Sequence, residues 1–370
     1  MKRKIILLFF VFSGLFSGLN AQDGARRNFN IPDVPGYHTL KCDFHIHTVF
    51  SDGLVWPSLR VLEAWQEGLD VIAITDHIEY KPFKSDVNPD LNRPYQLAAA
   101  KAEKLGIMLV QGGEITRKMP PGHSNALFLD DVNRLDTAKW EDAFAEAKKQ
   151  GAFVFWNHPG WKAQQPDTTL WFDEHTGLLN QGMLHGIEIV NYKEYYPAAF
   201  AWALEKDLTL LGNSDIHGTI AQEYNLAQGE KRPMTIVFAR ERTVKGVKDA
   251  LFEKRTVVLF DGDLYGREEW LKRLFTACTG QENNARASVN NSRSVFVTNY
   301  SGIDFHLIPG EDARGYGLIY PLDLPAYSTI ELSIKLNGDA GGVQGSVPLG
   351  FVVENAFIAP GKHLNSIIRF

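Results

Sequence analysis

The chain has 370 residues, 44% of them hydrophobic and 22% charged, and it carries a formal net charge of −6. This composition is typical of a soluble globular protein, and the length allows one large domain with a smaller one. An acidic chain does not attract polyanions, so long nucleic acids are not expected as substrates or partners. The two cysteines, Cys42 and Cys278, exclude a disulfide framework and leave open a single bridge between them.

The first 21 residues have the three parts of a secretory signal peptide. Residues 2–4 are basic, residues 5–16 are mostly apolar, and residues 19–21 form a cleavage site that ends in alanine. A retained membrane anchor needs about 20 apolar residues, whereas this run is shorter and is interrupted by serine and glycine. We therefore predict an exported protein without an integral membrane anchor, periplasmic in a Gram-negative bacterium. Cleavage would leave 35 basic and 44 acidic residues, a formal charge of −9.

Residues 41–53, KCDFHIHTVFSDG, are the first stretch that suggests chemistry, because Asp43, His45 and His47 alternate with apolar residues. Alternate residues of a strand share a face, so the carboxylate and both imidazoles are predicted to lie on one side. Two adjacent imidazoles suit a divalent transition metal. Half-buried strands also carry histidines on their solvent side, and the rest of the chain must decide between the two interpretations.

Short apolar runs then alternate with helix-like segments, which is the pattern of strands joined by helical crossovers. The runs occupy residues 42–47, 71–75, 107–110, 152–156, 186–190, 209–211, 235–239 and 256–260. Helices are predicted near residues 57–67, 93–105, 140–149, 197–206 and 243–253. Several runs are apolar on both faces, as parallel strands are when helices cover one side and a packed core fills the other. An α/β fold, a closed barrel over residues 22–276, is predicted.

Residues that bind metals stand where these runs end. They are Asp76 and His77, Glu114, His158, and Asp215 with His217. An extended segment over residues 121–129, which returns from the third loop, has His123 near its start. The carboxyl ends of the strands of an α/β barrel meet at its active-site face. These side chains are therefore predicted to lie together.

The helical period disappears from about residue 277. Residues 277–291 are predicted to be a polar linker. Residues 292–370 contain short strand-like runs separated by glycine, proline and aspartate turns, which predicts a small C-terminal all-β domain of the sandwich type. His306 and His363 are isolated in that segment. We expect this module to be structural, to form a homo-oligomer contact, or to bind a surface.

The combined motifs resemble those of the PHP (polymerase and histidinol phosphatase) family. D-x-H-x-H with S-D-G, T-D-H, G-x-E, a lone histidine, N-H-P and D-x-H occur in that order within residues 37–260. Each fragment alone is weak, but the ordered series is highly specific. The resemblance implies a distorted TIM-like barrel of seven β/α units that binds three divalent metal ions, which would be zinc, manganese or iron. It implies nine ligands, namely His45, His47, Asp52, His77, Glu114, His123, His158, Asp215 and His217.

The resemblance also distributes these ligands over the three metals. The implied groups are His45, His47 and Asp215 for the first, His123 and His158 for the second, and Asp52, His77 and His217 for the third. Glu114 would bridge the first two metals and is one of two predicted catalytic residues. The other is Asp76, which is expected, like Asp43, to orient a ligating imidazole. Asp76 could alternatively donate a proton.

Four further residues on the loops of the same face are candidates for substrate contact, namely Arg117, Lys118, Asn191 and Lys193. Loops on that face of a barrel carry function, although solvated loop charges are common. Glu188 shares this position and is a further candidate. His175 and His185 have no partner at a suitable spacing and are expected to be structural.

Phosphate ester hydrolysis is the chemistry that such a site suits. Its barrier is dominated by anionic repulsion and by charge on the attacking and leaving oxygens, and paired metals relieve both while making a metal-bound hydroxide available. An exported chain with an additional β module resembles the secreted phosphodiesterase branch of the family. We therefore predict a phosphodiesterase that acts on a small phosphate ester. The alternative is a phosphomonoesterase of the histidinol-phosphatase type.

Two other classes of protein are alternatives. Amidohydrolase barrels also begin with His-x-His, but they usually bridge two metals with a lysine at the end of the fourth strand, where this chain has Asn157 and His158. The S-D-G and T-D-H motifs have no counterpart in that family. A non-catalytic module that binds metal or phosphate would be expected to have lost ligands, whereas all nine positions hold competent side chains.

Overall fold

The structure is a computed structural model that describes residues 25–282, 292–311, 322–335 and 348–369. The signal peptide predicted over residues 1–21 lies outside these ranges. Within them, every helix is too short or too polar to cross a membrane.

The described residues form eighteen strands and eight α-helices, numbered here in chain order. The strands are His38–Asp43 (β1), Val71–Ile74 (β2), Met108–Ile115 (β3), Ser124–Leu127 (β4), Phe153–Trp156 (β5), Gly186–Asn191 (β6), Glu194–Tyr195 (β7), Thr209–Asn213 (β8), Met234–Ala239 (β9), Thr256–Phe260 (β10), Asp263–Gly266 (β11), Thr279–Glu282 (β12), Ser292–Asn299 (β13), Phe305–Pro309 (β14), Leu322–Leu324 (β15), Thr329–Lys335 (β16), Pro348–Ala359 (β17) and Lys362–Arg369 (β18). The α-helices are Pro57–Gln66 (α1), Arg93–Leu105 (α2), Trp140–Lys149 (α3), Asp173–Asn180 (α4), Pro197–Glu205 (α5), Ile220–Glu223 (α6), Val244–Phe252 (α7) and Glu268–Cys278 (α8), and Val132–Leu135 and Leu226–Gln228 are 3₁₀-helices.

The large domain is a distorted α/β barrel, which confirms the predicted fold class. Strands β1, β2 and β3 pair in parallel, as do β5, β6 and β8. Strand β4 lies antiparallel between β3 and β5, at the position of the predicted returning segment. The ring closes just beyond β1 and β8, where Ile46 and Ile216 form a parallel bridge. The amide of Asp215 donates to the carbonyl oxygen of His45 there at 2.9 Å.

Strand β9 departs from the predicted series of parallel strands. Strand β9 pairs antiparallel with both β1 and β10. The only α-helix between β8 and β9 is α6, which has four residues. Because this helix is too short to carry the chain back along the barrel, the next strand runs in the opposite direction. Thr235 Oγ1 of β9 bonds to the nitrogen and the oxygen of Gly212, at 3.0 and 2.9 Å, and so ties β9 to β8.

The alternation predicted for the first strand ends at Asp43, the last residue of β1. Cys42 and Phe44 pack in the same hydrophobic cluster, together with residues of α7, whereas Ile46 belongs to a different cluster. The side chain of Asp43 pairs with Arg232, and it accepts the backbone amide of His45 at 3.3 Å but contacts neither imidazole ring. The prediction that Asp43 shares a face with the two histidines is therefore wrong, because the backbone leaves the regular strand between them.

The C-terminal residues form two small sheets, as the predicted β-sandwich requires. Strands β14, β15, β17 and β18 form one, and β12, β13 and β16 form the other. Strand β17 also pairs in parallel with β11, so the first sheet continues into the barrel domain. Residues 277–282, predicted to begin the linker, instead complete α8 and form β12, while residues 283–291 lie outside the described ranges. Cys42 and Cys278 are buried, unpaired and in separate clusters.

Candidate metal centre

Three of the predicted ligands meet at the closure of the barrel. His45 and His47 follow β1, and their Nε2 atoms lie 3.1 Å apart. Asp215 follows β8, and its Oδ1 lies 3.1 Å from the Nε2 of His45 and 3.0 Å from that of His47. The φ angle of Asp215 is 50°, a left-handed bend that turns the chain out of the strand at this point. These atoms form the first of three ligand groups.

Glu114, near the end of β3, connects this group to a second one. Its Oε1 and Oε2 lie 3.6 Å from the Nε2 atoms of His45 and His47, respectively. Oε1 also lies 3.0 Å from Nδ1 of His123, just before β4, and 3.6 Å from Nε2 of His158, which follows β5. Glu114 is fully buried and occupies the bridging position that the resemblance implies.

The third group consists of Asp52, His77 and His217. Asp52 Oδ1 lies 3.1 Å from Nε2 of His217 and 3.5 Å from Nε2 of His77. The glycine of the S-D-G motif is required for steric reasons. A Cβ atom added to Gly53 would lie 2.7 Å from the backbone of His47. Only glycine lets the loop fold back closely enough to bring Asp52 to the two histidines.

The chemistry of these side chains fits divalent transition metals. Ring nitrogens and carboxylate oxygens of His47, Asp52, His77 and His217 all lie within 4.8 Å of one another. Three buried atoms in the cluster lie close to other ligand atoms but make no hydrogen bond of suitable geometry, namely Asp52 Oδ1, Glu114 Oε2 and His123 Nδ1. Buried polar atoms are normally hydrogen-bonded, so atoms that converge without such bonds are suited to binding a cation. Imidazole and carboxylate donors at this spacing suit zinc, manganese or iron.

The imidazoles are oriented by residues other than those predicted. Glu188 Oε1 lies 2.9 Å from Nδ1 of His45, and Thr116 Oγ1 lies 2.7 Å from Nδ1 of His77. The carbonyl oxygen of Asp215 lies 2.7 Å from Nδ1 of His217. Metal-binding histidines commonly need such a partner on the second ring nitrogen. Glu188 was a further candidate for substrate contact, but it is fully buried and orients the imidazole of His45.

Asp76 orients an imidazole only indirectly. It accepts hydrogen bonds from the amide and the hydroxyl of Thr48, at 2.6 and 2.7 Å, and from the hydroxyl of Ser51 at 2.7 Å. Ser51 Oγ in turn lies 3.3 Å from Nδ1 of His47. With 5% exposure and three donors, Asp76 fixes the 48–51 loop, and its alternative role as a proton donor stays a prediction. Burial raises the pKa of its carboxyl group despite these donors.

Burial and neighbouring charges move the pKa values of the ligands in opposite directions. Burial, assisted by His217 and His77, lowers the pKa of His47 to about 3. Burial also disfavours the charged form of His77, but the carboxylate of Glu114 outweighs it and raises the pKa to about 10. For Glu114, the surrounding histidines outweigh burial and hold the pKa well below its usual value. Glu114 is therefore anionic and available as a ligand at neutral pH.

Two buried arginines brace the ligand-bearing segments. Arg60 of α1 is 1% exposed and donates to the carbonyl oxygens of His47 (2.8 Å), Gly218 (2.7 Å), Ile216 (3.1 Å) and His217 (2.7 Å). It thereby joins the segment after β1 to the segment after β8.

The second arginine, Arg232, lies behind the first ligand group. It pairs with Asp43 at 2.9 Å and with Glu67. Asp43 in turn accepts hydrogen bonds from the hydroxyl and the amide of Ser214, at 2.5 and 3.1 Å, next to Asp215. Neither Arg60 nor Arg232 has a sequence signal that distinguishes it from an ordinary charged residue.

The ligand groups open into a cavity of about 350 Å³. Its lining includes Asp52, His77, His123, His158, Trp161, Asn191, Tyr192, Glu194, Tyr196, Asp215, His217 and Glu223. Among the described residues that line it, none is a lysine or an arginine. Three lining residues were not predicted, because no sequence motif marks them. They are Glu194 of β7, Tyr196 directly before α5 and Glu223 of α6.

Only one of the four predicted substrate-contact residues lines this cavity. Asn191 donates to Glu188 Oε2 at 2.9 Å and to Asp215 Oδ2 at 3.3 Å. Arg117 pairs with Glu79 at 2.7 Å, and Lys193 pairs with Glu230 at 2.8 Å. Lys118 is exposed on the loop after β3. The structure thus brings the predicted ligands together but keeps the three predicted cations out of the cavity.

Comparisons with known proteins give partial matches and one match over nearly the whole chain. A family model described as an Ig-like domain, DUF5001, matches residues 281–368. A search of curated proteins found no match. One solved structure is a protein from Bifidobacterium adolescentis assigned as a metal-dependent phosphoesterase, with 21% identity and a TM-score of 0.38; the match covers 48% of this chain and 88% of that chain. Another is an amidohydrolase from Chromobacterium violaceum, with 16% identity and a TM-score of 0.37; the match covers 49% of this chain and 88% of that chain.

A third solved structure matches nearly the whole chain. It is a two-domain protein from Bacteroides vulgatus that contains a predicted PHP-like metal-dependent phosphoesterase, with 44% sequence identity and a TM-score of 0.88. The alignment covers 94% of this chain and 99% of that chain, so it includes the barrel, the ligand groups and the C-terminal strands. The chain therefore belongs to the PHP-like metal-dependent phosphoesterases, in the two-domain form that carries an Ig-like domain after the barrel.

Proposed function

We propose that the protein is an exported phosphodiesterase that works with three divalent metal ions. The observation that carries this proposal is the arrangement of nine ligand side chains in three groups, with Glu114 between them. Each group offers imidazole nitrogens and a carboxylate oxygen around a shared point, which is the donor set for one transition metal ion. Zinc, manganese and iron would all be accepted by these donors.

The charge of the cavity favours a diester over a monoester. A phosphate monoester carries close to two negative charges at neutral pH, whereas a diester carries one. Beyond the ligands, the cavity is lined by Glu194 and Glu223 and, among the described residues, by no lysine or arginine. Additional carboxylates repel the more highly charged substrate more strongly. The phosphate would therefore bind at the ligand groups, and the acidic residues around them favour the diester, which carries less negative charge.

The chain's own residues would hold and orient the reacting groups. Divalent ions, when bound, supply Lewis-acid charge and lower the pKa of a coordinated water. Glu188 and Thr116 fix the rings of His45 and His77, so that the ligand groups keep their geometry without reorganisation. The amide of Asn191 holds Asp215 from the cavity side. The rings of Trp161 and Tyr196 form apolar walls that limit the access of water.

Export is supported by the composition of residues 1–21 alone. The basic, apolar and small-residue segments are those of a cleaved secretory signal. A periplasmic or extracellular enzyme would meet small phosphate diesters released outside the cytoplasm. Mass spectrometry of the N-terminus after expression in a Gram-negative host should find a mature chain that begins at Gln22.

The proposed activity is tested with two chromogenic esters of the same alcohol. The mature protein, stripped with a chelator and reloaded with manganese or zinc, is given bis-(p-nitrophenyl) phosphate or p-nitrophenyl phosphate. We expect no hydrolysis by the stripped protein and, after reloading, a kcat/KM for the diester at least about tenfold above that for the monoester. A higher kcat/KM for the monoester than for the diester would make the protein a phosphatase. Bound metal without hydrolysis of either ester would favour a binding module.

A further inference from the structure

A second groove lies beside the catalytic cavity. Its volume is about 440 Å³, and it is lined by Gly160, Lys162, Thr168, Thr169, Glu194, Tyr195, Tyr196, Pro197 and Ala198. Glu194 and Tyr196 line both the groove and the catalytic cavity. The two spaces therefore share one wall, and a molecule that enters the first can extend over that wall into the second.

Tyr196 forms this shared wall and is fixed in place. Its side chain is 7% exposed, and its hydroxyl donates to Oε2 of Glu194 at 2.8 Å. Its ring lies against Gly160, where an added Cβ atom would be 2.5 Å from the Cδ1 of Tyr196 and 2.9 Å from Oγ1 of Thr169. Gly160 comes two residues after the ligand His158. The wall is thus built on the same loop that carries part of the metal centre.

The groove differs from the catalytic cavity in its chemistry. Its lining residues include Lys162, Thr168, Thr169 and Tyr195, whose side chains carry an ammonium group, two hydroxyls and an aromatic ring. Hydroxyl and ammonium groups exchange hydrogen bonds with hydroxyl and ether oxygens, and an aromatic ring packs against the flat face of a sugar. These residues suit a hydroxyl-bearing ring and not a long acyl chain.

The C-terminal module supports the groove through a stack of three aromatic rings. Tyr195 stacks on Tyr265 of β11, with ring centroids 4.7 Å apart and an angle of 28°. Tyr265 stacks in turn on Phe357 of β17, at 5.1 Å and 13°. Because β17 also pairs with β11, the module is joined to the barrel by backbone hydrogen bonds at the same place. The ring of Tyr195 is therefore connected to the module through the ring of Tyr265.

We propose that this groove binds the second ester group of the phosphodiester substrate, a hydroxyl-bearing ring such as a sugar. Phe357 of the C-terminal module acts as a positioning residue for the groove through Tyr265 and Tyr195. This inference rests on the proposed diesterase activity. It gives the Ig-like domain a part in substrate selection.

The test compares two diesters that release the same p-nitrophenolate. Thymidine 5′-(p-nitrophenyl phosphate) carries a sugar as its second group, whereas methyl p-nitrophenyl phosphate carries only a methyl group. The wild-type protein should prefer the sugar diester, mainly through a lower KM. In Thr168→Trp, whose new ring would fill the groove, this preference should fall at least about tenfold. Thr276→Trp, at an exposed threonine on α8, is the matched control and should keep it.

Phe357→Ala and the milder Phe357→Leu test the contribution of the module. Both should reduce the preference for the sugar diester by about three- to tenfold, while the metal content per chain equals that of the wild type. The groove proposal is overturned if the preference is unchanged in Thr168→Trp, or if the wild type does not prefer the sugar diester. The positioning role is overturned if both Phe357 variants keep the wild-type preference. If the wild type hydrolyses monoesters but neither diester, the proposed diesterase function is overturned as well. Failure of the groove proposal alone would leave diester hydrolysis intact, so the two failures are distinguishable.

Discussion

The metal centre and the aromatic cluster around His175 both bury histidine side chains, but their ring nitrogens have different surroundings. In the aromatic cluster, Nε2 of His175 donates to the carbonyl oxygen of Pro121 at 2.7 Å, and Nδ1 accepts from the amide of Phe172 at 3.2 Å. The ring stacks on Trp156, with centroids 3.8 Å apart. Both nitrogens of this buried ring are satisfied by the protein itself, as is usual for buried polar groups.

In the metal centre, the ring nitrogens converge on one another and on carboxylates. His45 and His47 point their Nε2 atoms at each other, and Nδ1 of His123 lies 3.0 Å from Oε1 of Glu114 without the geometry of a hydrogen bond. Partners of the ordinary kind lie at the outward ring nitrogens, such as Glu188 for His45 and the carbonyl oxygen of Asp215 for His217. The comparison teaches that burial of a histidine does not by itself indicate a metal site. A metal site is indicated by ring nitrogens and carboxylate oxygens that converge without hydrogen bonds of their own.

Glu114→Gln should have the largest effect, because it removes the only charged group shared by the first two ligand groups. The amide keeps the size of the side chain but cannot offer two anionic oxygens. We expect at least one metal ion fewer per chain and a loss of diester hydrolysis of about a thousandfold or more, measured by elemental analysis and initial rates. Glu103→Gln, the same change at an exposed position of α2, should alter neither. Full activity in Glu114→Gln would remove the bridging role.

Arg60→Met should destabilise the metal-free protein strongly. The substitution leaves the carbonyl oxygens of His47, Ile216, His217 and Gly218 without their buried donor. We expect the free energy of unfolding in urea to fall by about 3 kcal/mol or more. Arg134→Met, which removes an arginine that is half exposed and paired with Glu146, should cost no more than about 0.5 kcal/mol. Equal effects of the two substitutions would contradict the bracing role.

Glu188→Gln should weaken metal binding without unfolding the protein. Glu188 accepts from Nδ1 of His45 and the amide of Asn213 with one oxygen, and from the amides of His158 and Asn191 with the other. In glutamine, an NH₂ group replaces one of the two carboxylate oxygens, so two of these four donors would face another donor in place of an acceptor. We expect the affinity for zinc, measured by competition with a chelator, to fall about 10- to 100-fold. An unchanged affinity would show that the orientation of His45 does not depend on this charge.

His175→Gln should show the smallest effect, and one that depends on pH. Burial lowers the pKa of His175 to about 4. Because the unfolded chain binds a proton nearer pH 6.5, this neutral ring favours folding above that pH, and its contribution is lost as the pH falls toward 4. The advantage of the wild type over His175→Gln in unfolding free energy should therefore shrink by about 2 kcal/mol between pH 7 and pH 5. A difference that is constant with pH would mean that His175 titrates normally.

The positions of the metal ligands could be predicted because two constraints act together. Few side chains bind transition metals, and the ends of barrel strands meet at one face. His77, Glu114, His158 and Asp215 all follow or end apolar runs that are easy to recognise in the sequence. The C-terminal β domain could be predicted for a similar reason, since short strands separated by turn residues have a clear local pattern.

Contacts between side chains distant in sequence could not be predicted. Arg60 and its partner Ile216 are 156 residues apart, and nothing near Arg60 distinguishes it from a solvated helix residue. Arg117 was a candidate for contact with a substrate phosphate, but Glu79, on the neighbouring loop, pairs with it at 2.7 Å. An apolar run also carries no strand direction, so the antiparallel course of β9 was not foreseen. In each case the backbone position followed from local sequence, whereas the direction of the side chain or strand depended on tertiary neighbours.

Anomalous X-ray diffraction from crystals of the mature protein loaded with manganese or zinc would locate the bound ions. We expect three anomalous peaks around Glu114. One should lie among His45, His47 and Asp215, one beside His123 and His158, and one among Asp52, His77 and His217. A loaded crystal whose peaks lie away from these three groups, or in which Glu114 contacts no ion, would contradict this expectation.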